Sequence, residues 1–186
     1  MVAITDLWIA ILLSAVALFI ISSFIHMALP YHWNDYGRLD NQDAVLDALK
    51  GLDLPAGDYM MPKALRRSDM GSAEEKEKRK KYPMVMMTVV PNCDATMGSA
   101  LICWFAYLLV VGLCCAYLAT RVLPGGAPYL EVFRVTGFTA FMAYALAFPI
   151  QSIWYQRNWR PTVLMMFDGL IYALITGGMF GWLWPR

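Results

Sequence analysis

The charges of this chain are crowded into one stretch, and that segregation constrains the fold more than any motif does. Residues 31–96 hold 10 of the 15 Lys and Arg and 11 of the 14 Asp and Glu, while the rest of the 186 residues is nearly uncharged. In hydrocarbon every backbone polar group must be satisfied internally, so long uncharged apolar runs on either side of a polar segment read as membrane helices. Composition agrees. At 59% hydrophobic, 16% charged and a mean hydropathy of +0.48, the chain departs from soluble domains, which are nearer half apolar and a quarter charged. A net charge of +1 offers no basic footprint for a nucleic-acid partner.

Four runs reach the roughly 20 residues that a bilayer crossing needs. They are 7–29, stopped by Pro30; 97–120; 135–155, interrupted by Pro149; and 162–184. The first lacks a basic flank before it and an Ala-x-Ala-like site after it, so it reads as a retained span rather than a cleaved leader. The predicted fold is an all-α membrane protein, an antiparallel four-helix transmembrane bundle with a small α+β insertion, 31–96, between spans 1 and 2. Four spans put both termini on one side, and 31–96 with the short 156–161 loop on the other. The basic residues Arg157, Arg160, Lys76, Lys78, Arg79, Lys80 and Lys81 outnumber Arg121, Arg134 and Arg186. Basic loops face the cytoplasm, which predicts termini outside and a cytoplasmic insertion. Trp8, Trp182 and Trp184 mark one interface, Trp154 and Trp159 the other, as amphipathic rings do.

The insertion is organised. "DNQDAVLDALKG" predicts a short helix capped by Asp40 or Asn41 and ended at Gly51. "PAGDYMMP" predicts a turn and an extended piece. "SAEEKEKRKKY" predicts a solvated helix with a capping box, Ser72 with Glu75. "PMVMMTVVP" predicts a strand. So little structure is marginal as an independent domain, and the insertion is expected to lean on the membrane surface or on a partner.

Motifs for chemistry are sparse. Cys93, Cys103, Cys114 and Cys115 lack the clustered offsets of a zinc or iron–sulfur site and read as apolar packing. His26 and His32 flank Pro30 at a separation that is no recognised ligand spacing, and Met60–Met61 and Met86–Met87 are not joined into a thioether site, so no metal is predicted. No phosphate loop, nucleophile elbow or zinc-protease helix occurs.

One acid, Asp168, sits inside the apolar stretch "MMFDGLIYALITGG". Connectivity puts His26, Gln151, Ser152, Asp168 and Tyr172 in one leaflet, with Ser22, Ser23, Gly98 and Ser99 nearby. Polar groups in hydrocarbon are costly unless they face protein or water and find partners. The expectation is a polar layer in which Asp168 meets His26, Gln151, or Arg157 or Arg160 snorkelling back. That layer reads either as a clasp fixing helix register or as a site for a polar headgroup, a quinone or a proton. No cofactor is predicted, though contact with lipid, quinone or pigment is compatible with such a layer. Beside it Gly169, Ala173, Gly177 and Gly181 recur at a spacing of four, a smooth ridge of the kind that lets membrane helices approach closely. Ala10, Ser14 and Ala17, or Gly112 and Ala116, are its expected facing surfaces.

The stretch "SSFIHMALPYHWNDYGRL", with "DAVLDAL" and "LPAGDYMMP" after it, and the closing "FDGLIYALITGGMFGWLWP" resemble an uncharacterised group of small four-span bacterial inner-membrane proteins. The resemblance implies a four-span layout in a bacterial inner membrane and carries no activity, substrate or cofactor. The expected function is a non-catalytic accessory or assembly subunit, gripping other membrane subunits or its own copies through the ridge and the insertion, with membrane lipids around it. The alternative is a small oligomeric transporter or proton-linked carrier using Asp168 and His26. A membrane enzyme comes third, since two histidines leave little material for a convergent cluster.

Overall fold

The structure, a computed structural model, describes residues 2–90 and 97–185. Cys93 and Arg186, both used in the reading above, lie outside the described residues. The fold is mostly helical: α1 (Trp8–Ala28), α2 (Gln42–Gly51), α3 (Ala73–Lys81), α4 (Met97–Val122), α5 (Tyr129–Tyr144), α6 (Pro149–Trp154) and α7 (Trp159–Trp182), with strands β1 (Gly57–Met61) and β2 (Val85–Val89). The described chain falls into two compact units, residues 2–36 with 97–185, and residues 37–90.

Four helical segments are long and apolar enough to cross a membrane: Ile4–Ala28, Met97–Val122, Tyr129–Trp154 and Trp159–Trp182. The third begins six residues earlier than the expected 135 and takes in Glu131 and Arg134. Both charges lie in its first turns, where a helix end meets polar surroundings. It is also broken rather than continuous. α5 stops at Tyr144, residues 145–148 form a turn, and α6 restarts with Pro149 at its first position. There the missing N–H is no loss. The fourth segment starts at Trp159, three residues before the expected 162, because the Asn158 side chain caps it by accepting from the Arg160 N–H at 3.0 Å.

The interior of the helical unit combines large side chains, Leu7, Leu18, Leu108 and Phe180 among them, with many small ones. Ala10, Ala15, Ala116, Ala119, Ala140, Ala145, Ala173, Ser14, Thr136 and Thr176 are buried, while Trp8, Ile20, Phe24, Ile102, Val110, Phe138 and Phe167 face outward. The predicted ridge on α7 is used inside this unit. It packs against α5, not against the surfaces of α1 or α4 expected for it. A Cβ on Gly169 would lie 2.6 Å from the Tyr144 carbonyl oxygen, and one on Gly177 would lie 2.9 Å from the Phe133 carbonyl oxygen. Gly137 faces the carbonyl of Ala173, and Tyr129 lies over Gly181. The physical reason is complementarity: α5 brings its own Gly137, so two smooth surfaces close on each other. Gly112, offered as a partner for the ridge, instead touches Ile11 of α1.

The unit 37–90 contains the four predicted elements. β1 and β2 pair antiparallel, Gly57 opposite Val89 through Met61 opposite Val85. α3 is capped as its sequence indicates, with Ser72 Oγ accepting from the Glu75 N–H at 3.2 Å. The return half differs: the Glu75 carboxylate accepts from the Gly71 N–H, and it also pairs with Arg79 at 2.6 Å. At α2 neither Asp40 nor Asn41 supplies a side-chain cap.

Candidate functional site

Pro30 ends α1 and opens a single 3-10 turn, Pro30–His32. The expected insertion boundary at 31 is therefore displaced, because Tyr31, His32 and Asp35 belong to the helical unit, which continues to Tyr36. The turn folds the chain back over the end of α1 and brings the His26 and His32 rings to a centroid distance of 4.7 Å. Linear spacing concealed this approach.

Asp168, 1% exposed, is the centre of the resulting cluster. Its Oδ1 accepts from the Tyr31 hydroxyl, and its Oδ2 lies 2.7 Å from His32 Nε2. The other His32 nitrogen, Nδ1, lies 2.6 Å from Asp35 Oδ2. Arg160 closes the chain: Nη1 donates to Asp35 Oδ1 at 3.1 Å and Nη2 to the Tyr31 carbonyl at 3.0 Å. The Tyr172 hydroxyl lies 3.4 Å from His26 Nε2. Among the described residues no buried side-chain nitrogen or oxygen lacks a partner.

Of the predicted polar layer, Asp168, His26 and Tyr172 come together. Gln151 does not join: among the described residues no hydrogen bond links its side chain to the cluster. Ser152 bonds Thr162 instead, at 2.6 Å, tying α6 to α7. Ser22 Oγ accepts from Trp104 Nε1 at 2.9 Å, tying α1 to α4. Arg160 does reach back, to Asp35 and Tyr31 rather than to Asp168. The expected layer names Arg160 but not Tyr31, His32 or Asp35. Their one signal was the His32–Asp35 spacing of three directly after a helix-ending proline, which puts both side chains on one side of a turn.

The electrostatics follow from this geometry. Burial acts to lower the His32 pKa, but hydrogen bonds to Asp35 and Asp168 outweigh it, and the net shift is upward from 6.5. A ring flanked by two carboxylates donates to both when protonated. His32 and Arg160 then balance Asp35 and Asp168. Burial, and then the bond to Asp168, push the Tyr31 phenol above its ordinary value of 10.0, so it stays a neutral donor. As it stands the cluster is a clasp joining the Pro30 turn to α7. It also presents ligand atoms: His26, His32 and Asp168 each offer one, all within 4.8 Å of one another.

The cysteines stand apart from the site. Cys115 is buried and donates to the Thr136 carbonyl at 3.5 Å, while Cys103 and Cys114 are exposed and unbridged. Trp184, expected at an interface, is buried, and its Nε1 donates to the Pro124 carbonyl at 3.0 Å. Surface hollows lined by Val2, Ile4 and Arg121, and by Leu118, Arg134 and Phe138, include none of the cluster residues. No family model, curated protein or solved structure matches the chain.

Proposed function

We propose that the protein is a non-catalytic accessory or assembly subunit of a larger membrane complex, and that the insertion is its docking element. The observation that carries this is the exposure of the insertion. In residues 37–90 no apolar side chain is buried, and Glu75 alone is. Leu65, in the loop after β1, is 91% exposed, and Leu46, on α2, is 59% exposed. A two-stranded ribbon with two short helices is marginal by itself, and exposed apolar surface on a small unit marks a contact region. With the α7 ridge spent against α5, the insertion remains as the adhesive feature.

The four apolar helices, in this proposal, form an antiparallel bundle in a bacterial inner membrane, with the termini outside and the insertion in the cytoplasm. The partner is another membrane subunit presenting an apolar patch at the cytoplasmic surface. The same geometry weighs against a proton-linked carrier through Asp168 and His26. Beyond Asp168, α7 carries no further acid or base; Tyr172 and Thr176 are buried with Ala173, Gly177 and Phe180, and the Thr176 hydroxyl donates to the Tyr172 carbonyl at 2.9 Å.

Purification in mild detergent tests the proposal. The expected product is a larger assembly of fixed composition, from which Leu46→Asp releases a folded chain. A lone monomer at every detergent and salt condition would overturn it.

A further inference from the structure

From the cluster around Asp168 we infer that the protein binds a divalent first-row transition ion through His26, His32 and Asp168. Three side chains from the end of α1, the Pro30 turn and α7 place one ligand atom each within 4.8 Å of the others. Ligands of a four-coordinate ion with bonds of about 2.1 Å stand roughly 3.4 Å apart. The widest pair must therefore close by about 1.4 Å, and the 2.7 Å contact between His32 Nε2 and Asp168 Oδ2 must open by less than that. Side-chain rotation supplies such shifts without moving a helix.

The outer contacts of His32 and Asp168 are those a metal ligand requires. A ligating imidazole has its second nitrogen held by a carboxylate or carbonyl, which fixes the tautomer and the ring orientation. His32 Nδ1 is held by Asp35 at 2.6 Å, and Asp35 is held in turn by Arg160. That leaves Nε2 for the ion, which replaces the proton shared with Asp168. Asp168 is prepared the same way: Tyr31 occupies Oδ1, and Oδ2 points to His32. The remaining ligand, His26, is exposed near the end of α1. Two imidazoles and one carboxylate suit Zn²⁺ or Fe²⁺. Ca²⁺ and Mg²⁺ prefer all-oxygen sets. Three protein ligands leave a coordination position for water or an external polar group.

The chain has only two histidines, both in this cluster, so any ion with imidazole ligands is bound here. The test uses the full chain, purified in mild detergent with a tag that carries no histidine, stripped of metal and titrated with Co²⁺ and then Zn²⁺. One Co²⁺ per chain is expected, with the visible absorption and X-ray absorption signature of nitrogen–oxygen coordination, displaced by equimolar Zn²⁺. His26→Gln, which leaves the Tyr31, Asp35 and Arg160 contacts in place, should weaken Zn²⁺ at least about tenfold with melting nearly unchanged. Asp35→Asn touches no metal and should weaken it about tenfold to a hundredfold. Absence of an imidazole signature in the unaltered protein would overturn the inference. So would unchanged Zn²⁺ affinity in a folded double variant, His26→Gln with His32→Gln.

Discussion

The two units of this molecule hold their apolar residues in opposite ways. The helical unit buries Leu18, Leu108 and Phe180 together with Ala, Ser and Thr, and leaves other large side chains, Ile20, Phe24 and Phe138 among them, outward. The insertion has apolar side chains but no interior in which to place them. Under the membrane placement proposed above, the contrast follows from the surroundings of each unit. Lipid is as apolar as leucine, so a membrane helix gains little by hiding leucine and much by bringing backbones together. In water, burial of apolar area is the main driving force, and in residues 37–90 no apolar side chain is buried. A high hydrophobic fraction thus supports two different kinds of stability in one chain.

Substitutions can break or sharpen this contrast. The largest loss is expected for Asp168→Asn, which leaves His32 paired on one side alone. Breaking a buried ion pair costs about 3–5 kcal/mol, read as the loss of a folded, monodisperse species on heating in detergent. An unchanged melt would mean that Asp168 does not hold the Pro30 turn to α7. Gly169→Ala comes next. Its new methyl would sit 2.6 Å from the Tyr144 carbonyl oxygen, and overpacking of this kind costs about 1–3 kcal/mol. The same assay reads it, and a stabilised protein would disprove the close approach of α5 and α7.

Arg160→Gln removes the donor to Asp35 from a partly exposed side chain, 47% accessible, for an expected loss of about 1 kcal/mol. Leu46→Asp, in the insertion, should change the melt by less than about 0.5 kcal/mol while abolishing assembly. A large destabilisation would show that α2 is packed after all. The smallest effect concerns pH. The Gly71 N–H, and then Arg79, hold the Glu75 carboxyl below its ordinary 4.5. Its contribution to α3 is therefore complete above that value and fades as pH falls through the lowered folded-state pKa. Far-ultraviolet circular dichroism of Glu75→Gln should lack this acid-side change.

Much of the architecture was legible beforehand because it depends on local physics. Run length and charge segregation identify four apolar segments, and Ser72 followed by Glu75 marks a helix start. The Val- and Met-rich run "PMVMMTVVP" marks a strand, "PAGDYMMP" a turn and an extended piece, and Gly169, Ala173 and Gly177 a close-packing face. The errors also have local causes. The third segment starts at Tyr129, ahead of the expected 135, because a helix end accepts the charges of Glu131 and Arg134. Asn41 looked like a cap, but its side chain does not cap α2.

By itself the sequence determined which segments are helical and apolar, and that one acid lies among them, since hydrophobicity, proline and capping act within a few residues. Only the tertiary structure decided that the α7 ridge faces α5, and that Asp168 meets Tyr31 and His32 while Gln151 stays apart. Those outcomes depend on how each helix is rotated and on the direction the chain takes after Pro30. Neither is encoded in spacing along one strand of sequence, because both are settled by which surfaces fit when distant segments come together.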